Sequence, residues 1–287
     1  MDHDALVDRW RSFDVPANIY RVDPAVEPLD EVRELATRAD LTQAVEGDWN
    51  EFGPLLELEQ EPYTFTVYRP SRGIQWVDSS RWQMDDGVST MEVSDQQAID
   101  AAVREVEELR LPGDDDFRMF KVTRLNVASA EKGGDRYQAR VIDVGVVLTR
   151  VLDGLDVEGQ GGSIVMYLDT DLRPTGFERI ARRIADIHEP VRGWRSLDDA
   201  LSEVESYWGR SRDQGLTVED ARLGYLEFGR LQYQEFKQPV YAMSLGLSDD
   251  ENGESRTVEH YVPAAVNRIG TLMPQDSGPQ GRARSDD

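Results

Sequence analysis

Residues 155–176 read LDVEGQGGSIVMYLDTDLRPTG, and they decide whether this part of the chain is a ligand loop or a structural hairpin. Glycines cluster at 159–162, as in phosphate-binding loops, but such a loop needs a following helix to supply its N–H groups. From Ile164 to Leu168, apolar residues instead occupy every second position, which is the period of a strand. The stretch therefore predicts a hairpin whose glycines allow a bulge or a positive φ at its entrance.

The acidic pair Asp169 and Asp171 has the i, i+2 spacing found in calcium loops. The sequence lacks the further oxygen ligands and the closing Glu of such loops. A turn between two strands explains both carboxylates, together with Pro174 and Gly176 after them. We predict no metal site and no cofactor, and keep an ion at DTD (169–171) as the less favoured alternative.

The composition is strongly acidic, with 56 Asp and Glu against 32 Lys and Arg and a formal net charge of −24 at pH 7. Nucleic acid and anionic membrane surfaces are disfavoured as partners, because both attract clustered basic residues. Lysine occurs only at positions 121, 132 and 237. This pattern predicts a halophilic protein, whose self-repulsion is screened at high ionic strength. An ordinary acidic protein from an actinobacterium is the alternative.

Cysteine is absent from the sequence, which excludes disulfides, thiolate nucleophiles and cysteine-based metal sites. Apolar runs such as 141–148 are far shorter than the ~20 residues of a membrane helix, so we expect no integral membrane segment. The opening MDHDALVDRW has neither the basic nor the apolar region of a signal peptide. We therefore expect a cytoplasmic location if the chain is complete as given.

Three segments, 28–39, 94–109 and 196–208, have apolar residues at helical spacing. Ser94 precedes the second and Ser196 the third, as capping residues that accept a hydrogen bond from free backbone N–H groups. After each helix come alternating runs separated by turns. The predicted strands cover 63–69, 73–78, 117–129, 136–152, 162–170, 223–233, 239–248 and 256–266.

This order predicts an α+β fold of tandem units, each with one helix packed on a curved antiparallel sheet. The predicted domains are a helix-plus-hairpin unit at 1–90, two helix-on-sheet units at 91–190 and 191–270, and a disordered tail at 271–287. In the central unit, strand 136–152 is the middle strand. We expect its inward face to include Val141, either Ile142 or Val144, and Val147.

Catalytic motifs are missing from the sequence. His3, His188 and His260 are scattered, and there is no nucleophile elbow, metalloprotease pair or phosphate loop. Paired carboxylates are too frequent in so acidic a chain to identify a general acid or base. We therefore predict no catalytic, cofactor-binding or metal-binding residues. The aromatic-rich stretch 225–236 is expected to be core on one face and a contact surface on the other.

The run from 152 to 184, which contains LDVEGQGGSIVMYL, resembles PepSY-like modules of extracytoplasmic proteins, especially regulators of the YycI type that restrain a membrane sensor kinase. The Ser-initiated helix SLDDALSEV (196–204) also resembles theirs, as do the hairpin at 71–78 and the strands at 236–243 and 259–266. The likeness spans roughly residues 17–266. It implies a PepSY-like or cystatin-like arrangement and an extracytoplasmic location. It also implies a regulatory role without catalysis.

These observations lead to one functional expectation and two alternatives. The chain is expected to be a non-enzymatic protein-binding or inhibitory module, which accepts a partner segment at an exposed strand edge or concave sheet. The first alternative is a structural subunit of a larger surface or particle assembly. The second is a hydrolase that uses carboxylates, or His188 or His260 as a base.

Overall fold

The computed structural model describes residues 15–23, 29–39, 41, 46–81, 93–113, 115–129, 138–209, 215–249, 254–270 and 272. The chain divides into two compact units. Unit 1 comprises Met1–Val22, Ile184–Phe228 and Glu235–Asp287, and unit 2 comprises Asp23–Arg183 and Gly229–Gln234. Apart from Leu272, the predicted tail 271–287 lies outside the described residues.

The described residues form three α-helices and a larger set of β-strands. The helices are α1 (Leu29–Arg38), α2 (Asp95–Glu108) and α3 (Leu197–Trp208). The strands are β1 (Asn18–Val22), β2 (Asn50–Phe52), β3 (Leu55–Gln60), β4 (Tyr63–Tyr68), β5 (Gly73–Asp78), β6 (Asp116–Ser129), β7 (Gln138–Leu152), β8 (Leu155–Gly159), β9 (Ser163–Leu168), β10 (Pro174–Ile180), β11 (Ile184–Pro190), β12 (Leu216–Glu227), β13 (Phe236–Lys237), β14 (Pro239–Asp249) and β15 (Glu254–Pro263). No described helix is long and apolar enough to cross a membrane.

Unit 2 is built on one antiparallel sheet with the strand order β8-β7-β9-β10-β5-β4-β3-β2, and β6 pairs with the other edge of β7. Helices α1 and α2 contribute to a single hydrophobic core on one face of this sheet. The fully buried members of that core include Val32, Val67, Ile74, Ala98, Ala102, Leu111, Val144, Val146, Ile164, Met166 and Leu168.

The predicted fold of tandem units with one helix each is therefore wrong. The protein is mostly β-sheet, and helices α1 and α2 share one core instead of covering separate sheets. The reason lies in the pairing of β5 with β10, in which Trp76 is opposite Phe177 and Val77 is opposite Gly176. This ladder joins the hairpin of the predicted domain 1–90 to the sheet of the predicted domain 91–190. Long-range pairing of this kind leaves no local signal in the sequence.

Strand β7 shows which residues face the helices. Val144, Val146 and Leu148 are buried in the core, so Val144 is confirmed as an inward residue. Val141 also packs against the core, although it is only partly buried. Val147 does not pack against the core. It lies between Val146 and Leu148, and successive side chains of a strand point to opposite faces of the sheet. The expected inward orientation of Val147 is therefore wrong.

Unit 1 contains two antiparallel sheets, one ordered β15-β14-β12 and a smaller one ordered β11-β1-β13. Helix α3 packs on β15. The short sheet joins distant parts of the chain, since Asn18 pairs with Pro190 and Tyr20 pairs with Lys237. The Tyr225 hydroxyl also holds β1 in place, because it donates a hydrogen bond to the Asn18 carbonyl at 2.9 Å.

The predicted helix caps are confirmed. Ser94 accepts a hydrogen bond from the Gln97 backbone N–H, and the Gln97 side chain accepts one from the Ser94 backbone N–H, which completes a capping box on α2. The Ser196 hydroxyl accepts from the Asp199 N–H at 3.1 Å at the start of α3. These local features follow directly from residue type, because each N-cap satisfies a donor that the helix itself leaves free.

Candidate protein-interaction surface

Strand β6 lies at an edge of the unit 2 sheet. It pairs with β7 along nearly its whole length, from Asp116 opposite Val151 to Ser129 opposite Gln138. Within the part of the chain that the structure describes, no second strand pairs with it. An edge strand presents unpaired N–H and C=O groups, so β6 offers a long backbone template for another strand.

Three large apolar side chains of β6 are exposed to solvent. Met119 is 46%, Phe120 is 60% and Leu125 is 51% exposed. The strand also carries inward residues, since Phe117 and Val122 pack against the core of unit 2. The exposed side chains are therefore not needed to hold β6 on the sheet. We call residues 118–125 the β6 edge.

The register with β7 divides the β6 edge into two faces, because directly opposite residues share a face of the sheet. Lys121 is opposite Val147 and Leu125 is opposite Asp143, so both lie on the face away from the helices. Arg124 is opposite the core residue Val144 and lies on the helix face.

A bulge separates two parts of the β6 edge. The register shifts between Met119 and Lys121, so Phe120 is the extra residue. A bulge locally interrupts the ladder. The segment from Lys121 to Leu125 pairs with β7 without interruption, and it is therefore the part best suited to accept a further strand.

The β6 edge is basic compared with the whole chain, which has a net charge of −24. It carries Arg118, Lys121 and Arg124 and no acidic residue. Acidic residues of neighbouring elements balance two of these cations, since Arg118 pairs with Asp156 and Arg124 with Asp95. The Lys121 ammonium lies 5.5 Å from the centroid of the exposed Phe120 ring and forms no ion pair with a described carboxylate.

Residues 229–234 form a second exposed apolar feature in unit 2. The buried Arg182 guanidinium donates to the Gly229 carbonyl at 2.9 Å and to the Gln232 carbonyl, which holds the loop in place. Leu231 and Tyr233 are exposed on this loop. Within 225–236, Tyr225 and Leu226 are buried, whereas the expected role of the exposed residues as a contact surface stays a prediction.

A polar cluster occupies the sheet face next to this loop. The Arg230 guanidinium lies 5.0 Å from the centroid of the Tyr68 ring and 3.3 Å from the Glu178 carboxylate. Burial raises the pKa of Tyr68 to about 12, and it also raises the pKa of Tyr167, to which the nearby Glu178 carboxylate adds. Both phenols are therefore protonated at neutral pH, and the Tyr68 hydroxyl donates to Gln75 Oε1 at 2.6 Å.

The glycines at 159–162 lie at the entrance to a hairpin of β9 and β10, as predicted. Gly159 and Gly162 have positive φ values of 99° and 67°, and β9 begins directly after them. Asp169 Oδ1 accepts hydrogen bonds from the backbone N–H groups of Asp171 and Arg173, at 2.8 and 2.9 Å. The other carboxylate oxygen of Asp169 lies 3.5 Å from Arg81. These donors explain the DTD turn without an ion.

The structure places two of the three histidines, and His3 lies outside the described residues. Arg21 lies 3.3 Å from His188 Nδ1, and Phe236 contacts the edge of the His188 ring. His260 is buried against Tyr207 and Trp208, with ring centroids 5.0 and 6.1 Å away. Burial lowers the pKa of His260, although the Glu203 carboxylate acts in the opposite direction.

Sequence reasoning predicted a strand at 117–129 but not its position at a sheet edge. The sequence does contain one indication of this position, because apolar and polar residues stop alternating there. Met119 and Phe120 are adjacent apolar residues between Arg118 and Lys121. A half-buried strand normally shows one apolar and one polar face. An apolar residue that breaks this alternation indicates a bulge or an exposed contact.

No protein-family model and no curated protein matches the chain. Among solved structures, it is similar to the crystal structure of an uncharacterized protein from Eubacterium rectale, with a TM-score of 0.51 and 11% sequence identity. The match covers 90% of this chain and 86% of that chain. At this identity the likeness concerns the fold alone. The resemblance to PepSY-like modules stays a prediction from the sequence.

Proposed function

We propose that this chain is a non-enzymatic protein-binding module that engages its partner through the β6 edge. The observation that carries the proposal is a long edge strand with three large exposed apolar side chains, Met119, Phe120 and Leu125. Scattered apolar residues are normal on protein surfaces, whereas several along a strand edge that no other described strand covers favour association. Strand addition at such an edge combines backbone hydrogen bonds with side-chain specificity.

The apolar side chains would supply the affinity of this contact. Transfer of apolar surface out of water contributes about 25 cal/mol per Å², and a few aromatic or aliphatic residues usually dominate an interface. Phe120 is the most exposed of the three, so we expect it to contribute most. Its position beside Lys121 also places a cation next to the aromatic ring.

The test uses a photoreactive amino acid in place of Phe120 in the full chain, expressed in the native host. The protein that crosslinks there is identified and purified, and its affinity is measured for the wild type and for Phe120→Ser and Leu125→Ser. We expect each substitution to weaken binding at least about tenfold, as for central interface residues. The matched control is Val266→Ser, an equally exposed apolar position in unit 1, which should leave the affinity unchanged. Equal affinities for all four proteins would contradict the proposal.

A further inference from the structure

We infer that the segment bound at the β6 edge is an extended strand with acidic residues on both of its faces and apolar residues two positions away from them. This inference rests on the proposed function and adds the chemistry of the partner to it. It follows from three observations, namely the unbulged backbone of Lys121–Leu125, the cations on both faces of this segment, and the exposed apolar side chain at its end.

The backbone determines the mode of binding. From Lys121 to Leu125, each residue has a direct partner between Val147 and Asp143 on β7. In an antiparallel pair, every second residue turns its N–H and C=O towards the paired strand, and the residues between turn theirs to the other side. This segment therefore presents regularly spaced donors and acceptors at its outer side, which an extended peptide can pair with.

The charges determine the composition of the partner. Lys121 lies on the face away from the helices and Arg124 lies on the helix face, so a strand added here meets a cation on both faces. Opposite charges on neighbouring strands attract each other, and like charges directly opposite are unfavourable. Carboxylates of the partner would pair with Lys121 and share Arg124 with Asp95. A basic segment would meet repulsion at both positions.

The exposed apolar side chain determines where the partner carries its own apolar residue. Leu125 shares the face of Lys121, and its exposed side chain can pack against an apolar residue of the partner that is a diagonal neighbour of the acidic one. Residues on one face of a strand are two positions apart, so the partner needs an apolar residue two positions from its acidic one. The remainder of this strongly acidic chain repels such a segment, which makes the β6 edge the favoured place for it.

The experiment measures binding of fluorescent peptides of about eight residues, a common strand length, to the full chain. It uses the lowest KCl concentration that keeps the chain folded, because molar salt screens the charges that distinguish the peptides. One peptide repeats Glu-Glu-Val-Val, which places both residue types on each face of a strand, its twin repeats Lys-Lys-Val-Val, and a third carries N-methyl groups on alternate residues of the acidic sequence. We expect the acidic peptide to bind at least about tenfold more tightly than the basic twin. N-methylation should abolish binding, because it removes the donors of the ladder.

Two variants locate the contact. Lys121→Glu should weaken binding of the acidic peptide and strengthen binding of the basic one, whereas Arg173→Glu makes the same charge change in the β9–β10 turn and should alter neither. Equal binding of both peptides, insensitivity to N-methylation, or no binding of any peptide would overturn the inference. So would a dimer of the chain alone that Lys121→Glu disrupts, since the occupant would then be a second copy. The proposed function is judged separately, by the effect of Phe120→Ser on the captured protein.

Discussion

At the scale of single residues, unit 1 contains a fully buried ion pair between Lys237 and Glu227. The Lys237 ammonium lies 2.5 Å from the Glu227 carboxylate, and neither side chain has any exposed surface. The two residues flank residues 229–234, where the chain leaves unit 1 and returns to it. Removing each charge from water costs several kcal/mol, which only close pairing offsets.

Lys237→Met should therefore lower the free energy of unfolding by about 3–5 kcal/mol, because it leaves the Glu227 carboxylate buried without its cation. The double variant Lys237→Met with Glu227→Leu should recover most of this loss, since apolar residues of similar volume often replace a buried ion pair without cost. Urea unfolding at constant KCl measures both. A double variant no more stable than the single one would show that the two charges are not energetically coupled.

At the scale of elements, the turn between β8 and β9 depends on the backbone freedom of glycine. Gly162 has a φ of 67°, and its carbonyl accepts a hydrogen bond from the Arg150 N–H at 2.8 Å. Gly162→Ala should lower the free energy of unfolding by roughly 1–2 kcal/mol, because L-residues with a Cβ are strained in the left-handed region. Gly193→Ala is the control. Its added Cβ would meet only the Val266 side chain, at an ordinary 3.6 Å, so urea unfolding should show little change.

Elements also differ in how far the sequence predicts them. The caps at Ser94 and Ser196 and the glycine turn at 159–162 depend on contacts within a few residues, so residue type is sufficient to predict them. Strand β10 was missed, because its register shifts between Pro174 and Gly176 and breaks the alternation. The exposed edge of β6 depends on which strands pair with β7, and that choice is made by residues far away in the chain.

At the scale of the whole molecule, the net charge of −24 should make stability depend on salt. The Debye length is about 30 Å at 0.01 M and about 3 Å at 1 M salt, so repulsion across the molecule acts only in dilute buffer. The summed repulsion can rival a net stability of about 5–15 kcal/mol. We expect the thermal midpoint to rise steeply between low and molar KCl, with partial unfolding in dilute buffer.

The control for this prediction removes exposed charge without breaking an ion pair. Glu107 and Glu108 are exposed at the end of α2, whereas Glu105 in the same helix pairs with Arg104, so that its substitution would change the net charge and break an ion pair together. Glu107→Gln with Glu108→Gln should slightly reduce the increase of the thermal midpoint with KCl. If the thermal midpoint is the same at all KCl concentrations, the acidity is not an adaptation to salt and the prediction is wrong.

The pairing of Asn18 with Pro190 has a consequence for biosynthesis. Strand β1 is translated before the other described strands, but both of its neighbours, β11 and β13, are translated after all the strands from β2 to β10. At about 5–20 residues per second, β1 waits roughly 10–30 s for its first partner. During this time Ile19, Tyr20 and Val22, which are buried in the finished protein, have no sheet to join. We therefore expect strand β1 to be a segment that a chaperone protects while translation continues.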